Sequence, residues 1–101
     1  LSSSSAASDV YKRQGEDGPT LEIFTYHRLE ERPKSVPNRL GIAHLAFSVD
    51  NVAAARDEVL RAGGRCVGEI VTTQGTGGGK VTWCYVTDPE GNILELQKYW
   101  P

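Results

Sequence analysis

The chain has 101 residues, enough for one domain at most, and its 39% apolar and 24% charged content is that of an ordinary globular protein. A formal net charge of −2 gives no electrostatic pull toward nucleic acid or an anionic membrane, and no apolar run approaches a membrane span. Cys66 and Cys84 are too far apart for a CxxC motif or a zinc knuckle. Both fall in strand-like segments and read as small buried apolar residues, consistent with a reducing cytoplasm; no secretory apolar segment is visible.

Residues 1–19 read as a disordered tail. The first eight are low-complexity and serine-rich, and Tyr11 to Pro19 has no apolar period. Ser2 to Gln14 also resembles read-through from a cloning or sequencing adaptor, which would put the natural start of the frame upstream. Thr20–Tyr26 is a short strand of β-formers with Glu22, Phe24 and Tyr26 on one face and Leu21 and Ile23 on the other. Residues 27–40, charged between Arg28 and Lys34 and broken by Pro33 and Pro37, form a solvated linker. His27, at its start, reads as a surface histidine.

Residues 41–49 form a second strand, with Ala43, Leu45, Phe47 and Val49 on one side and Ile42, His44, Ala46 and Ser48 on the other. Asp50 or Asn51 caps the helix that follows. Val52, Ala55, Val59, Leu60 and Ala62 are its apolar stripe, Arg56, Asp57 and Arg61 lie outside it, and Gly63-Gly64 ends it. A strand over about 65–73 leads into a glycine loop at 75–79. That loop invites a phosphate-loop reading, which fails because Gln74 and Val81 stand where GxxxxGK[ST] needs Gly and Ser or Thr. A plain hairpin loop is the better reading. The other is a mobile lip that brings Lys80 near a substrate anion.

The most informative stretch is Val81–Gln97. Its arms alternate as strands around Asp88-Pro89-Glu90-Gly91-Asn92, where Pro89 sets the first corner of a type I turn and Gly91 supplies the positive φ of a G1 bulge. Period 2 places Ile93, Glu95, Gln97 and Tyr99 on one face and Leu94 and Leu96 on the other. A carboxylate in mid-strand is costly unless paired, hydrogen-bonded or bound to a metal. The expected partner of Glu95 is His44. Trp83 and Tyr85 alternate with Thr82 and Cys84, and either line a substrate site or simply pack; Gln97 and Tyr99 extend the face of Glu95. Trp100 is expected to fray.

The segments Gly41-Ile-Ala-His44-Leu-Ala-Phe, Val49-Asp-Asn-Val52, Arg61-Ala-Gly-Gly64 and Asp88-Pro-Glu-Gly-Asn-Ile-Leu-Glu95-Leu resemble the vicinal oxygen chelate superfamily. Its members include glyoxalase I, methylmalonyl-CoA epimerase, fosfomycin- and bleomycin-resistance proteins and extradiol dioxygenases. The resemblance covers about residues 20–99. It implies an α+β fold: a complete βαβββ module over 41–99, a mixed sheet curved into a cup, and the last strand of a truncated preceding module over 20–26.

In that family two modules surround a divalent metal held by first- and last-strand residues. His44 and Glu95 match two ligand positions, and Glu22 in Leu21-Glu-Ile-Phe matches a third. The fourth lies on a strand this chain lacks, so the chain is expected to be a fragment or a half-molecule completed as a homodimer. Two carboxylates and imidazole suit Zn²⁺, Ni²⁺, Co²⁺, Mn²⁺ or Fe²⁺. Such an ion acts as a Lewis acid toward an enolate or enediolate, with Glu95 or Glu22 moving the proton.

The implied activity is a glyoxalase-type lyase, isomerase or epimerase, like lactoylglutathione lyase, on a small substrate with adjacent oxygens. The alternatives are a metal-free protein of the bleomycin-resistance type, which sequesters a small molecule in the same cup, and an extradiol-type dioxygenase. The bland reading of His44 is a structural histidine, and that of Glu22 an exposed edge-strand charge.

Overall fold

The computed structural model describes residues 7–14 and 18–101, with side chains from Gly18 onward. The chain divides into two compact units, Leu1–Pro33 and Lys34–Pro101.

In the first unit, strand β1 (Ala7–Gln14) runs antiparallel to strand β2 (Thr20–Tyr26), with Lys12 opposite Glu22 and a register shift between Ala7 and Asp9. This corrects the reading of Ala7–Gln14 as part of a disordered tail. A polar segment with no apolar period becomes a strand here because β2 supplies its hydrogen-bonding partner. Residues 1–6 and 15–17 of that tail lie outside the described residues.

The second unit holds the expected βαβββ order: β3 (Leu45–Ser48), α1 (Val52–Arg61), β4 (Arg65–Gln74), β5 (Lys80–Thr87) and β6 (Ile93–Trp100). The sheet order is β3-β6-β5-β4, with β3 parallel to β6 and the other pairs antiparallel. It is an α+β architecture with an open mixed sheet.

Each connection has a local cause. Asn51 caps α1 by accepting the Ala54 N–H on its side-chain oxygen at 2.9 Å. At the other end Gly63 N–H bonds Leu60 O at 3.1 Å and Gly64 N–H bonds Val59 O at 2.9 Å, the paired closure of a Schellman motif with Gly63 at φ 99°. In the β5–β6 turn the Asp88 carboxylate accepts from Glu90 N–H (3.0 Å), Asn92 N–H (2.8 Å) and Asn92 Nδ2 (2.6 Å), and Gly91 takes φ 90°. The glycine loop closes β4 onto β5 through Gly75 N–H to Gly79 O at 2.7 Å.

The core lies between α1 and one face of the sheet. Val52, Cys84, Val86 and Leu96 are buried, and Val49, Ala55, Val59, Ile70 and Leu94 pack against them. Each fully buried aliphatic side chain of this kind stabilises the fold by roughly 1.5–3 kcal/mol.

Four local expectations are corrected, and β4 adds one feature that the sequence reading did not address. The first strand of the module is shorter than 41–49, so His44 precedes β3 rather than sitting within it. Strand β4 carries a bulge between Val67 and Val71 at Gly68, where an isolated strand glycine permits it. Cys66 is exposed, so only Cys84 acts as a buried apolar residue. Arg56 is half-buried, four residues after Val52 on the core stripe, with its Nε buried and unpartnered among the described residues. Trp100 is tied down: its Nε1 donates to Thr82 Oγ1 at 3.0 Å, and Lys98 Nζ lies 4.0 Å from the ring centroid.

Candidate functional site

The face of the sheet turned away from α1 is set by the register of β5 against β6. Tyr85 stands opposite Glu95, Trp83 opposite Gln97, Val81 opposite Tyr99 and Thr87 opposite Ile93. On the other side of β6, parallel pairing sets Ala46 beside Glu95 and Ser48 beside Gln97. His44, just ahead of β3 and two residues before Ala46, is brought to the same face.

The result is a convergence of His44 and Glu95, with Nε2 4.0 Å from Oε2 and side chains 33% and 17% exposed. That separation is too long for a direct hydrogen bond, and it leaves imidazole and carboxylate near enough to reach one divalent ion together. Nitrogen and carboxylate oxygen are donors that such an ion accepts. Within Lys34–Pro101, no third His, Cys, Asp or Glu among the described residues joins the pair to form a larger group able to hold a metal.

Tyr85 borders both members of the pair. Its ring meets His44 edge-on at 5.1 Å and 84°, and Trp83 meets Tyr85 at 5.5 Å and 69°. Burial raises the Tyr85 phenol above its ordinary value, and the nearby Glu95 charge raises it further. Tyr85 is therefore a neutral donor at physiological pH. On the opposite face, burial raises the Cys84 thiol; the Arg56 charge opposes this, and Cys66 and Glu95 add to it.

Trp83, Tyr85 and Gln97 are all half-buried on the face of Glu95, as alternation predicts. Glu22 belongs to the other unit, exposed on β2. His27 is exposed just after β2. Lys80 stands opposite Trp100, 5.2 Å from its ring centroid, on the helix face rather than beside Glu95. This contradicts the reading of Lys80 as an anion contact above the cup.

The pairing of Tyr85 with Glu95 across the ladder went unread in the sequence, although the turn contains its signal. With Thr87 and Ile93 closing the Asp88–Asn92 turn, antiparallel counting brings Tyr85 to Glu95 two residues further on.

Comparison with known proteins gives the geometry a family. The model of the Glyoxalase/Bleomycin resistance protein/Dioxygenase superfamily matches residues 7–96, from β1 into the first half of β6. A glyoxalase family protein from Bacillus cereus matches with a TM-score of 0.71 at 21% identity, over 91% of this chain and 62% of its own. At that identity the likeness is one of fold, and the present chain spans less than two thirds of that protein. SMU.1112c matches with a TM-score of 0.55 at 30% identity, over 87% of this chain and 69% of its own. No curated protein matches. Among the described residues no helix is long and apolar enough to cross a membrane. An open four-stranded βαβββ sheet, matched by the family model over nearly its whole length, places the chain in the Glyoxalase/Bleomycin resistance protein/Dioxygenase superfamily.

Proposed function

We propose that this chain forms part of a metal-dependent lyase, isomerase or epimerase of the glyoxalase type, acting on a small molecule with two adjacent oxygens. The observation that carries the reading is the His44–Glu95 pair, 4.0 Å apart on the sheet face opposite the core. The pair joins residues 51 apart in sequence, and Glu95 remains a half-buried carboxylate with no cation of Lys or Arg type paired to it among the described residues.

In this reading His44 and Glu95 would hold a divalent ion, which would supply Lewis acidity toward the substrate oxygens. Glu95 would move the proton between adjacent carbons. Trp83 and the Tyr85 ring form the apolar floor against which the substrate lies, and Gln97 offers an amide to a substrate oxygen. A cytoplasmic setting agrees with two free cysteines, one of them exposed.

The aromatic run of His44, Tyr85 and Trp83 favours one second reading: a metal-free cup that sequesters a flat small molecule. Metal content after purification without chelators separates the two. The metal reading expects stoichiometric metal in the wild type, lost in His44→Ala and Glu95→Ala, with oligomer mass recorded on the same samples. A folded protein that refuses Ni²⁺, Zn²⁺ and Mn²⁺ supports the sequestering cup instead.

A further inference from the structure

We infer that Arg65 selects the substrate of the His44–Glu95 site by binding an oxyanion on it, a carboxylate or phosphate a few bonds from the adjacent oxygens. The inference rests on the reading above and deepens it by naming the substrate's charge.

Three cationic side chains stand on strands β3 to β6, and the ladder sorts them between the two faces. Lys80 is opposite Trp100 and Lys98 is opposite Thr82, on the helix face, where both ammonium groups lie over the Trp100 ring at 5.2 and 4.0 Å from its centroid. Arg65 is opposite Thr87, which is opposite Ile93, and residues paired across a ladder share a face. Ile93 lies on the face of Glu95, so the register places Arg65 there too. Among the described residues of these strands it is the single Lys or Arg on that face. It is exposed, with no hydrogen bond or ion pair among the described residues.

The rows of that face set the spacing. Val67, Tyr85 and Glu95 form one row, and Arg65, Thr87 and Ile93 form the next. Successive rows are about 7 Å apart along the strands, and Arg65 stands two strands, about 10 Å, across from Glu95. Their Cα positions are thus roughly 12 Å apart, a gap that one small molecule spans. Glu95 by itself repels an anion. A guanidinium on the same face offsets that charge, and its planar fork of N–H donors fits a carboxylate or phosphate. The other end of the face is apolar, with Val71 opposite Trp83 and Val81 opposite Tyr99. A substrate lying along the strands is therefore oriented, its anionic end toward Arg65 and its apolar end toward Trp83.

The test measures binding rather than turnover, by calorimetry with three hydroxamates, whose carbonyl and N–O oxygens are adjacent. Pentanohydroxamate carries no further charge, succinic monohydroxamate ends in a carboxylate, and the matching phosphonate separates phosphate from carboxylate preference. The full chain is used with and without Co²⁺, as wild type, Arg65→Gln, Arg65→Lys and Arg61→Gln. Wild type is expected to bind one of the anionic hydroxamates about 10-fold more tightly than the uncharged one. Arg65→Gln should lose that preference, with its affinity for pentanohydroxamate and its melting temperature unchanged. Arg65→Lys should keep part of it. Arg61→Gln, which removes an exposed arginine at the end of α1, should keep all of it.

Equal binding of charged and uncharged hydroxamates, or a preference that survives Arg65→Gln or falls as far in Arg61→Gln, would overturn the role of Arg65 and leave the metal-binding reading intact. An Arg65-dependent preference in a protein that takes up no Co²⁺ would support the role and overturn the metal-binding reading. A folded wild type that binds none of the three would overturn both. Unaltered protein gives a check that needs no variant: the preference should shrink as ionic strength rises, because Arg65 is exposed. A preference indifferent to salt would contradict the inference.

Discussion

The two faces of β6 are made from alternate residues of one strand and do different work. Leu94 and Leu96 point toward α1, where Leu96 is 5% exposed and joins Val52, Cys84 and Val86 in the core. Glu95 and Gln97 point the other way, half-buried beside Tyr85, Trp83 and His44. Strand alternation thus lets one short sheet carry a hydrophobic core and a polar site without spending separate elements on each. The difference should appear in substitution: helix-face changes alter stability, and open-face changes alter binding.

Leu96→Ala should give the largest stability loss, about 2–5 kcal/mol from lost transfer energy and an unfilled cavity, read as a lower denaturant midpoint. Metal binding should fall only as far as the folded fraction does. If metal were lost while the fold persisted, the two faces would not be separable. Gly64→Ala comes next, at roughly 1–3 kcal/mol. A Cβ there would sit 2.2 Å from Thr87 O and 2.5 Å from Val59 Cγ1, so the end of α1 and strand β5 would have to part. Calorimetry should show the lower melting temperature, again with Co²⁺ affinity per folded molecule unchanged.

These positions also show what the sequence could and could not reveal. The Asp88–Asn92 turn, the Asn51 cap and the Gly63-Gly64 stop are set by local backbone chemistry, and each forms as its residues dictate. The faces of β5 and β6 follow from counting by two, which is why His44, Glu95, Trp83, Tyr85 and Gln97 could be assigned to one side. Features that depend on a neighbour were less legible. Ala7–Gln14 become a strand through β2, and Trp100 is held by a hydroxyl eighteen residues away and a lysine beside it. Arg56 was placed outside because it is charged, although its spacing from Val52 is that of the buried stripe. Glu22 was matched by pattern to a ligand position, and it lies in a different unit from the pair.

The smallest effect concerns the cysteines, which test the burial contrast without a substitution. Burial holds the Cys84 thiol above its ordinary value of 9.0, whereas Cys66 is exposed. Alkylation of native protein near pH 8 should therefore add one label, at Cys66, and unfolding should release the second site. The sign of the linked pH effect follows. Folded protein holds the Cys84 proton more tightly than unfolded protein, so this contribution to stability is intact below about pH 9 and is lost as pH rises through the raised value. Rapid labelling of Cys84 in native protein would show that the helix face opens more readily than its packing implies.

The central claim is that the open face holds a divalent ion through His44 and Glu95. The most direct measurement is metal stoichiometry, with melting temperature recorded on the same samples, for wild type, His44→Ala and Glu95→Gln. The account predicts stoichiometric metal in the wild type, little or none in either variant, and apo-protein stabilities within about 1 kcal/mol of one another, because neither side chain belongs to the core. Variants that keep their metal, or a folded wild type that takes up none of the added ions, would contradict it.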